Sequence, residues 1–422
     1  MEWIIIAIIA LMYGVDVFVG VLNYQHKDRD IPRNVQGIYD DNTYEQWKDY
    51  TMETFRLSLI RKSVSVLLLL VLLLSGFFGW LEALLPNSPT VVHTLLFLLV
   101  YFFINKLVSL PFAYIRTFKI EAAFGFNKTT KALFVKDQIK GVLLTLVLGG
   151  ALVSAINGFY LWLFDDAWLF VLIAFTSISI VMVLLFMLSG VFVRLFNTLE
   201  PLEEGKLKTS IDNLAESLGF SVKNIYVMDA SKRSTKLNAF FSGLGKRREV
   251  VLFDTLIEKM DTPEIVAVLA HELGHATYKD TFRMLMYQIV IIFLYSALFA
   301  LILTSDTLAQ AFGLSGAHFA FAIILFNILL SPVDLGIGIL LNRLSRRAEY
   351  RADAFAVKHT SKNSMARALR VLSAENFANL TPHPLYVTLN YSHPPIDARL
   401  DAFGVHAPLE AVSHNEQQLS SE

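Results

Sequence analysis

Seven long apolar runs punctuate the 422-residue chain. They extend approximately from Trp3 to Tyr24, Val64 to Leu85, Val91 to Pro111, Gly141 to Phe164, Trp168 to Val193, Leu285 to Thr304 and Phe319 to Leu341. A hydrocarbon core about 30 Å thick needs roughly 20 apolar residues per helical crossing, so each run qualifies or comes close. No basic segment precedes the first run and no small-residue cleavage site follows it. It is therefore read as a retained span rather than a signal peptide. Its Asp16 asks for a wet or protein-facing side.

The polar connections alternate in charge. Lys27, Arg29, Arg33, Lys48 and Arg56 follow the first run, and Arg61 and Lys62 open the second. Arg116, Lys119, Lys128, Lys131, Lys136 and Lys140 follow the third, and Arg343, Arg346 and Arg347 follow the seventh. The connections near 86–90, 165–167 and 305–318 hold no Lys or Arg. By the positive-inside rule this predicts an outside N-terminus and both large polar blocks in the cytosol. A bacterial source would make the membrane the inner one.

Within the polar parts, 25–60 reads as an interfacial or helical connector, and 112–140 as an amphipathic connector turning near Gly125 and Asn127. In the insert 195–284, Pro201 to Leu218 has helical apolar spacing, while Val222 to Met228, Leu237 to Leu244 and Glu249 to Phe253 read as strands. Gly243, Gly245 and Lys246-Arg247-Arg248 would form the turn between the last two. Thr262-Pro263-Glu264 marks a helix start, with Thr262 as the cap. The expected organisation is 1–194 for spans one to five with their connectors and 195–284 for a catalytic insert. Spans six and seven would occupy 285–341, and a C-terminal cytosolic part 342–422.

Composition narrows the classes. With 55% hydrophobic and only 17% charged residues and a mean hydropathy of +0.51, the chain is a membrane protein rather than a large soluble core. A net charge of -1 gives no basic excess for a nucleic-acid partner. The absence of Cys excludes disulfides, cysteine zinc sites and a cysteine nucleophile.

Chemistry concentrates in His271-Glu272-Leu273-Gly274-His275. On a helix, positions i and i+4 share a face, so His271 and His275 can bind one Zn²⁺ through neutral imidazoles. Glu272, offset from them, can hold a water at the metal and take its proton. A third ligand would leave one position open for catalysis, and Glu349 in SRRAEYRADAFA (345–356) is the candidate. Asp353, four residues later, would accept the second N–H of a ligand histidine. Taken alone, Glu349 would default to a solvated salt bridge with Arg346 or Arg351. Arg399 is left between three readings: a substrate carboxylate partner, a partner of a metal-site acid, or a structural ion pair. No spacing connects His359, His383 or His406 to the metal set.

The blocks IEAAFGFNKTT (120–130), FNTLEPLEEGKL (196–207), IYVMDASKRSTKLNAFFSGLG (225–245), VVLFDTLI (250–257), HELGHATYKD (271–280), SRRAEYRADAFA (345–356) and NYSHPPIDARL (390–400) resemble the CaaX prenyl protease 1 family of integral membrane zinc endopeptidases. The resemblance implies seven helices around a water-filled chamber with a zincin-like α+β metalloprotease part at its cytosolic end. It implies His271, His275 and Glu349 as zinc ligands, Glu272 as general base and later proton donor, and Asp353 as a support behind a ligand. It sets Asn238 on a strand edge beside the scissile peptide, although an Asn there can also simply shape a turn. His393 would approach the metal and steady the oxyanion, although before Pro394-Pro395 it can also be a loop histidine.

The resulting expectation is a zinc-dependent membrane endopeptidase, with one Zn²⁺ per chain and peptide or protein substrates met at the lipid bilayer. The family name implies farnesylated CaaX peptides cut after the cysteine. A host that does not prenylate proteins would favour quality control or processing of membrane proteins. The C-terminal HNEQQLSSE carries no lysine-based retrieval signal. The alternative class is a proteolytically silent zinc protein acting as a chaperone, channel-clearing factor or transporter.

Overall fold

The computed structural model describes residues 1–86, 91–163, 167–220, 224–242 and 249–408. The expected turn at 243–248, the start of the strand at 222–223 and the C-terminal HNEQQLSSE lie outside them.

Among the described residues, seven helices are long and apolar enough to cross a membrane. The first is α1 (Glu2–Gln25). The second, α2 (Asp41–Leu74), starts well before its apolar run because the Asp40 carboxylate caps it, accepting the Thr43 N–H at 2.6 Å. It also ends earlier than the apolar pattern predicts. Gly76 takes φ of 73°, a left-handed value a side chain would oppose, and a separate short helix α3 (Phe77–Leu84) follows. Next come α4 (Val91–Ile115), α5 (Lys131–Leu144) and α6 (Gly150–Trp162), with α5 running through one π turn into α6. Gly125, with φ of 78°, makes the expected turn between α4 and α5. Helix α7 (Ala167–Met187) is the fifth crossing, and α8 (Ser189–Phe196) leaves it. Large cavities open between the spanning helices. The expected fold class, seven crossing helices around a chamber with a smaller α+β part, is the one observed.

The α+β part begins where hydropathy falls. β1 (Leu199–Pro201) ends on the first residue of the segment expected to be helical, and the helix α9 starts later, Lys206–Ser217. Strand β2 (Asn224–Met228), β3 (Ala239–Ser242) and β4 (Glu249–Phe253) complete a sheet of order β1-β2-β4-β3. β2 and β4 pair in parallel, and β3 pairs antiparallel with β4 in the register Ala239 to Leu252. β3 is therefore an edge strand. A short α10 (Asp254–Lys259) leads to the motif helix α11 (Thr262–Thr277). Asp261, not Thr262, caps α11. It forms a reciprocal capping box with Glu264, whose carboxylate accepts the Asp261 N–H at 3.0 Å.

The sixth crossing, α12 (Asp280–Leu303), and a short α13 (Asp306–Gln310) precede α14 (Phe319–His359). The last crossing and the third-ligand segment are thus one 41-residue helix. Helices α15 (Lys362–Glu375), α16 (Pro384–Asn390) and α17 (Ile396–Ala402) fold back on α11 and α14. Val250, Leu252, Ile265, Leu269, Ala356 and Leu369 lie in the apolar core that joins sheet and helices. Arg233 ties this part to the membrane helices, donating to Asp137 at 3.0 and 3.2 Å and to Asn197 at 3.0 Å.

Candidate metal centre

The motif helix α11 is buried along one face, and α14 lies against it. Gly274 permits the approach: a Cβ there would stand 3.1 Å from Ala352 Cα and 3.2 Å from Phe355 Cβ. A side chain would push the helices apart and take Glu349 away from the histidines. With glycine, donor atoms of His271, His275 and Glu349 all lie within 4.8 Å of one another.

The Nε2 atoms of His271 and His275 are 3.1 Å apart. Glu349 Oε1 lies 3.2 Å from His275 Nε2, and Oε2 lies 3.4 Å from His271 Nε2. Oε2 is buried and has no hydrogen-bond partner. The other ring nitrogens explain the arrangement. His271 Nδ1 donates to Asp353 Oδ1 at 2.8 Å, and His275 Nδ1 to Asp280 Oδ2 at 3.1 Å. In the neutral rings both Nε2 atoms then carry lone pairs, and these face each other beside a carboxylate. Such a donor set fits a metal cation, and the carboxylate behind each histidine is the usual support of a metal-ligating imidazole. Burial opposes charge on His271, yet the bonds with Asp353 and Glu349 outweigh it and raise its pKa to about 9. The site therefore attracts a positive charge, whether a proton or a metal.

Glu272 stands on the next position of α11. Burial pushes its carboxyl pKa up, and the neighbouring histidines only partly offset that. His393 brings Nε2 to 3.3 Å from Glu349 Oε1 while its ring stays exposed. Its Nδ1 lies 3.0 Å from Ser392 Oγ. Arg399 lies on α17. Its guanidinium forms a two-point pair with Asp353 at 2.8 and 2.6 Å and lies 3.6 Å from Glu349 Oε2. Its Nε and Nη2 are engaged by Asp353, which sits behind His271 and needs its charge balanced. Glu349 is not a solvated salt bridge. Arg346 donates to the carbonyls of Val387 and Tyr391, and Arg351 to Asp280.

Asn238 lies just before the edge strand β3. Its Oδ1 accepts the Ala239 N–H at 2.9 Å, its own carbonyl accepts the Phe253 N–H at 3.1 Å, and no hydrogen bond joins it to the metal cluster among the described residues.

Three residues escaped the sequence reading. Asp280, the last residue of the HELGHATYKD block, supports His275, and Arg351 balances it as Arg399 balances Asp353. The signal was its distance from His275: five residues and a helix break, which no single-helix spacing rule covers. Asn376 at the end of α15 is the third. Its amide accepts the Leu237 N–H at 2.9 Å and donates to the Leu237 carbonyl at 3.1 Å, fixing the approach to β3. Its partner is 139 residues away in sequence, so no local pattern points to it.

Known proteins are similar to this chain over most of its length. Residues 21–198 match the family described as CAAX prenyl protease N-terminal, five membrane helices, and residues 201–404 match peptidase family M48. A CAAX prenyl protease 1 homolog of Oryza sativa subsp. japonica is 32% identical over 94% of this chain and 96% of its own. The CAAX prenyl protease 1 of Saccharomyces cerevisiae is 33% identical over 88% of each chain. The crystal structure of S. mikatae Ste24p superposes with a TM-score of 0.90 at 31% identity, covering 96% of this chain and 99% of that one. The convergent histidines and carboxylate, carried by a multi-pass membrane fold that these relatives share over most of its length, make this chain a member of the CaaX prenyl protease 1 family of M48 membrane metallopeptidases.

Proposed function

We propose that the protein is a zinc endopeptidase that cuts prenylated CaaX peptides at the cytosolic side of its membrane. The observation that carries this is the convergence of His271, His275 and Glu349 beside Glu272 and His393. Two imidazoles and one carboxylate are a donor set of catalytic zinc, with a further position left for substrate. The names of the relatives, CAAX prenyl protease 1, support the prenylated substrate. The alternation of basic connections supports an outside N-terminus and a cytosolic metal site.

Zinc held by His271, His275 and Glu349 would supply Lewis-acid polarisation of the scissile carbonyl and acidify the attacking water. Glu272 takes the proton of that water and passes it to the leaving amine. Its raised proton affinity suits both transfers. Asp353 and Asp280 keep the Nδ1 protons of the two histidines in place, so their Nε2 lone pairs stay aimed at the metal position. His393 is set to donate from Nε2 to the carbonyl oxygen as it gains charge. The substrate backbone adds to the edge of β3, where main-chain pairing gives affinity with little sequence preference, and Asn238 marks the start of that edge.

The test is zinc content together with cleavage of a prenylated fluorogenic peptide in detergent. Glu272→Gln is expected to keep one zinc per chain and to lose about 10²–10⁴-fold in turnover, the usual weight of a general base. Near-native cleavage by the variant would remove the base assignment. Zinc without cleavage by the wild type would favour a silent channel-clearing or chaperone role.

A further inference from the structure

Two cavities open between the membrane helices. One of about 550 Å³ is bounded by α1, α2, α4 and α16. The other, about 740 Å³, is lined mainly by aliphatic side chains of α1, α2, α4 and α14. They share Asp16, Arg61, Lys62 and Asn390. The smaller one adds Lys106 and Arg116, so four cations face a single carboxylate.

That excess is poorly balanced by the protein. Lys62 pairs with Asp16. Lys106 donates to the neutral amide of Gln138 at 2.7 Å, and Arg116 Nε lies 3.6 Å from Glu121. The Arg61 side chain has no hydrogen bond or ion pair among the described residues. Arg61 and Lys106 have no carboxylate partner among the described residues, so this cavity at the helix ends is electrostatically matched to an anion.

Its position says which anion. Asn390 lines both cavities and also the pocket that holds His393 and Arg399. His393 follows three residues later, with Nε2 3.3 Å from Glu349. Three residues span at most roughly 10 Å, so Asn390 lies within that distance of His393. A CaaX peptide cut after its cysteine carries its terminal carboxylate three residues beyond the scissile bond, a matching reach. Resting on the peptidase reading above, we infer that the basic cavity is the subsite for the free C-terminal carboxylate of the substrate, with Arg61 as its main partner.

The test compares one prenylated peptide as the free acid and as the C-terminal amide, on zinc-loaded full-length protein. Wild type is expected to prefer the acid by about tenfold to a hundredfold in kcat/KM, as a hydrogen bond to a charged group allows. The acid-to-amide ratio should fall close to unity in Arg61→Gln and survive largely in Arg61→Lys. Because each ratio is taken within one variant, partial misfolding cancels. A wild-type ratio near unity, or an unchanged ratio in Arg61→Gln, overturns the subsite. Binding of the same two peptides to Glu272→Gln reads the preference without turnover. Tighter binding of the acid there, with no cleavage of either peptide by wild type, sinks the peptidase reading and keeps the subsite. Equal binding, together with uptake of phosphatidylglycerol from neutral vesicles, assigns the cavity to a lipid phosphate and overturns the peptide subsite.

Discussion

Two histidine pairs in this protein have the same spacing and opposite chemistry. His271 and His275 stand with Nε2 atoms 3.1 Å apart, and so do His93 and His318 at the far end of the membrane helices. In the second pair, His93 Nδ1 donates to the Pro86 carbonyl at 2.9 Å, while His318 Nδ1 accepts the Phe321 N–H at 3.2 Å. His318 therefore carries its proton on Nε2 and donates it to His93. That pair is complementary and satisfied by a single proton. In the first pair both Nδ1 atoms donate to carboxylates, so in the neutral rings both Nε2 atoms are acceptors and a third carboxylate faces them. The spacing of two rings says little. The partners of their outer nitrogens decide whether the gap between them suits a hydrogen bond or a metal.

The contrast breaks most sharply on metal content. Glu349→Ala is expected to abolish both bound zinc and peptidase activity, because it removes the carboxylate that both Nε2 atoms face. His93→Gln should keep one zinc per chain. Elemental analysis of the two purified variants checks this, and zinc loss in His93→Gln would show that the pairs are not distinct.

Asp280→Asn sharpens the role of the outer nitrogen. It removes the charge behind His275 but keeps the volume, and should weaken zinc affinity by about 10–100-fold in a chelator competition. An unchanged affinity would mean that Arg351 alone, or the packing of α12, holds the histidine in place.

A smaller effect concerns protons. In the metal-free protein His271 has a raised pKa of about 9, so below that pH zinc must displace a proton from it. Apparent zinc affinity should therefore rise with pH and flatten near 9, by at most about tenfold per unit for one displaced proton. A flat profile across roughly neutral pH would contradict the charged metal-free state.

The smallest effect is on the satisfied pair. His93→Gln should lower stability by about 1–3 kcal/mol, the usual cost of leaving a buried polar group such as the His318 N–H without its partner, seen as a modest shift of thermal unfolding in detergent. A loss several times larger would point to a wider network around His93.

Much of this protein is local in origin and could be read along the chain. A crossing helix needs only a long apolar run, so the seven crossings follow from composition in windows of about 20 residues. The motif histidines are four apart on one helix, and so are Glu349 and Asp353, which is why each pair was legible as a shared face. Errors arose where local signals competed. The apolar run from Val64 to Leu85 concealed the break at Gly76, and Thr262 looked like a cap although Asp261 before it offered the stronger carboxylate.

Other features belong to tertiary structure alone. That α14 continues unbroken from its apolar run to Glu349, and that Gly274 lets it close on α11, depends on two helices meeting at backbone distance. The commitment of Arg399 to Asp353, the pairing of Arg351 with Asp280 and the hold of Asn376 on Leu237 are contacts between segments far apart in sequence. Sequence determined which groups were present and which shared a helix face, because those depend on neighbours within a turn or two. Only the folded chain decided which charges neutralise each other and which nitrogen of each histidine keeps its proton, since these depend on partners that packing brings within about 3 Å.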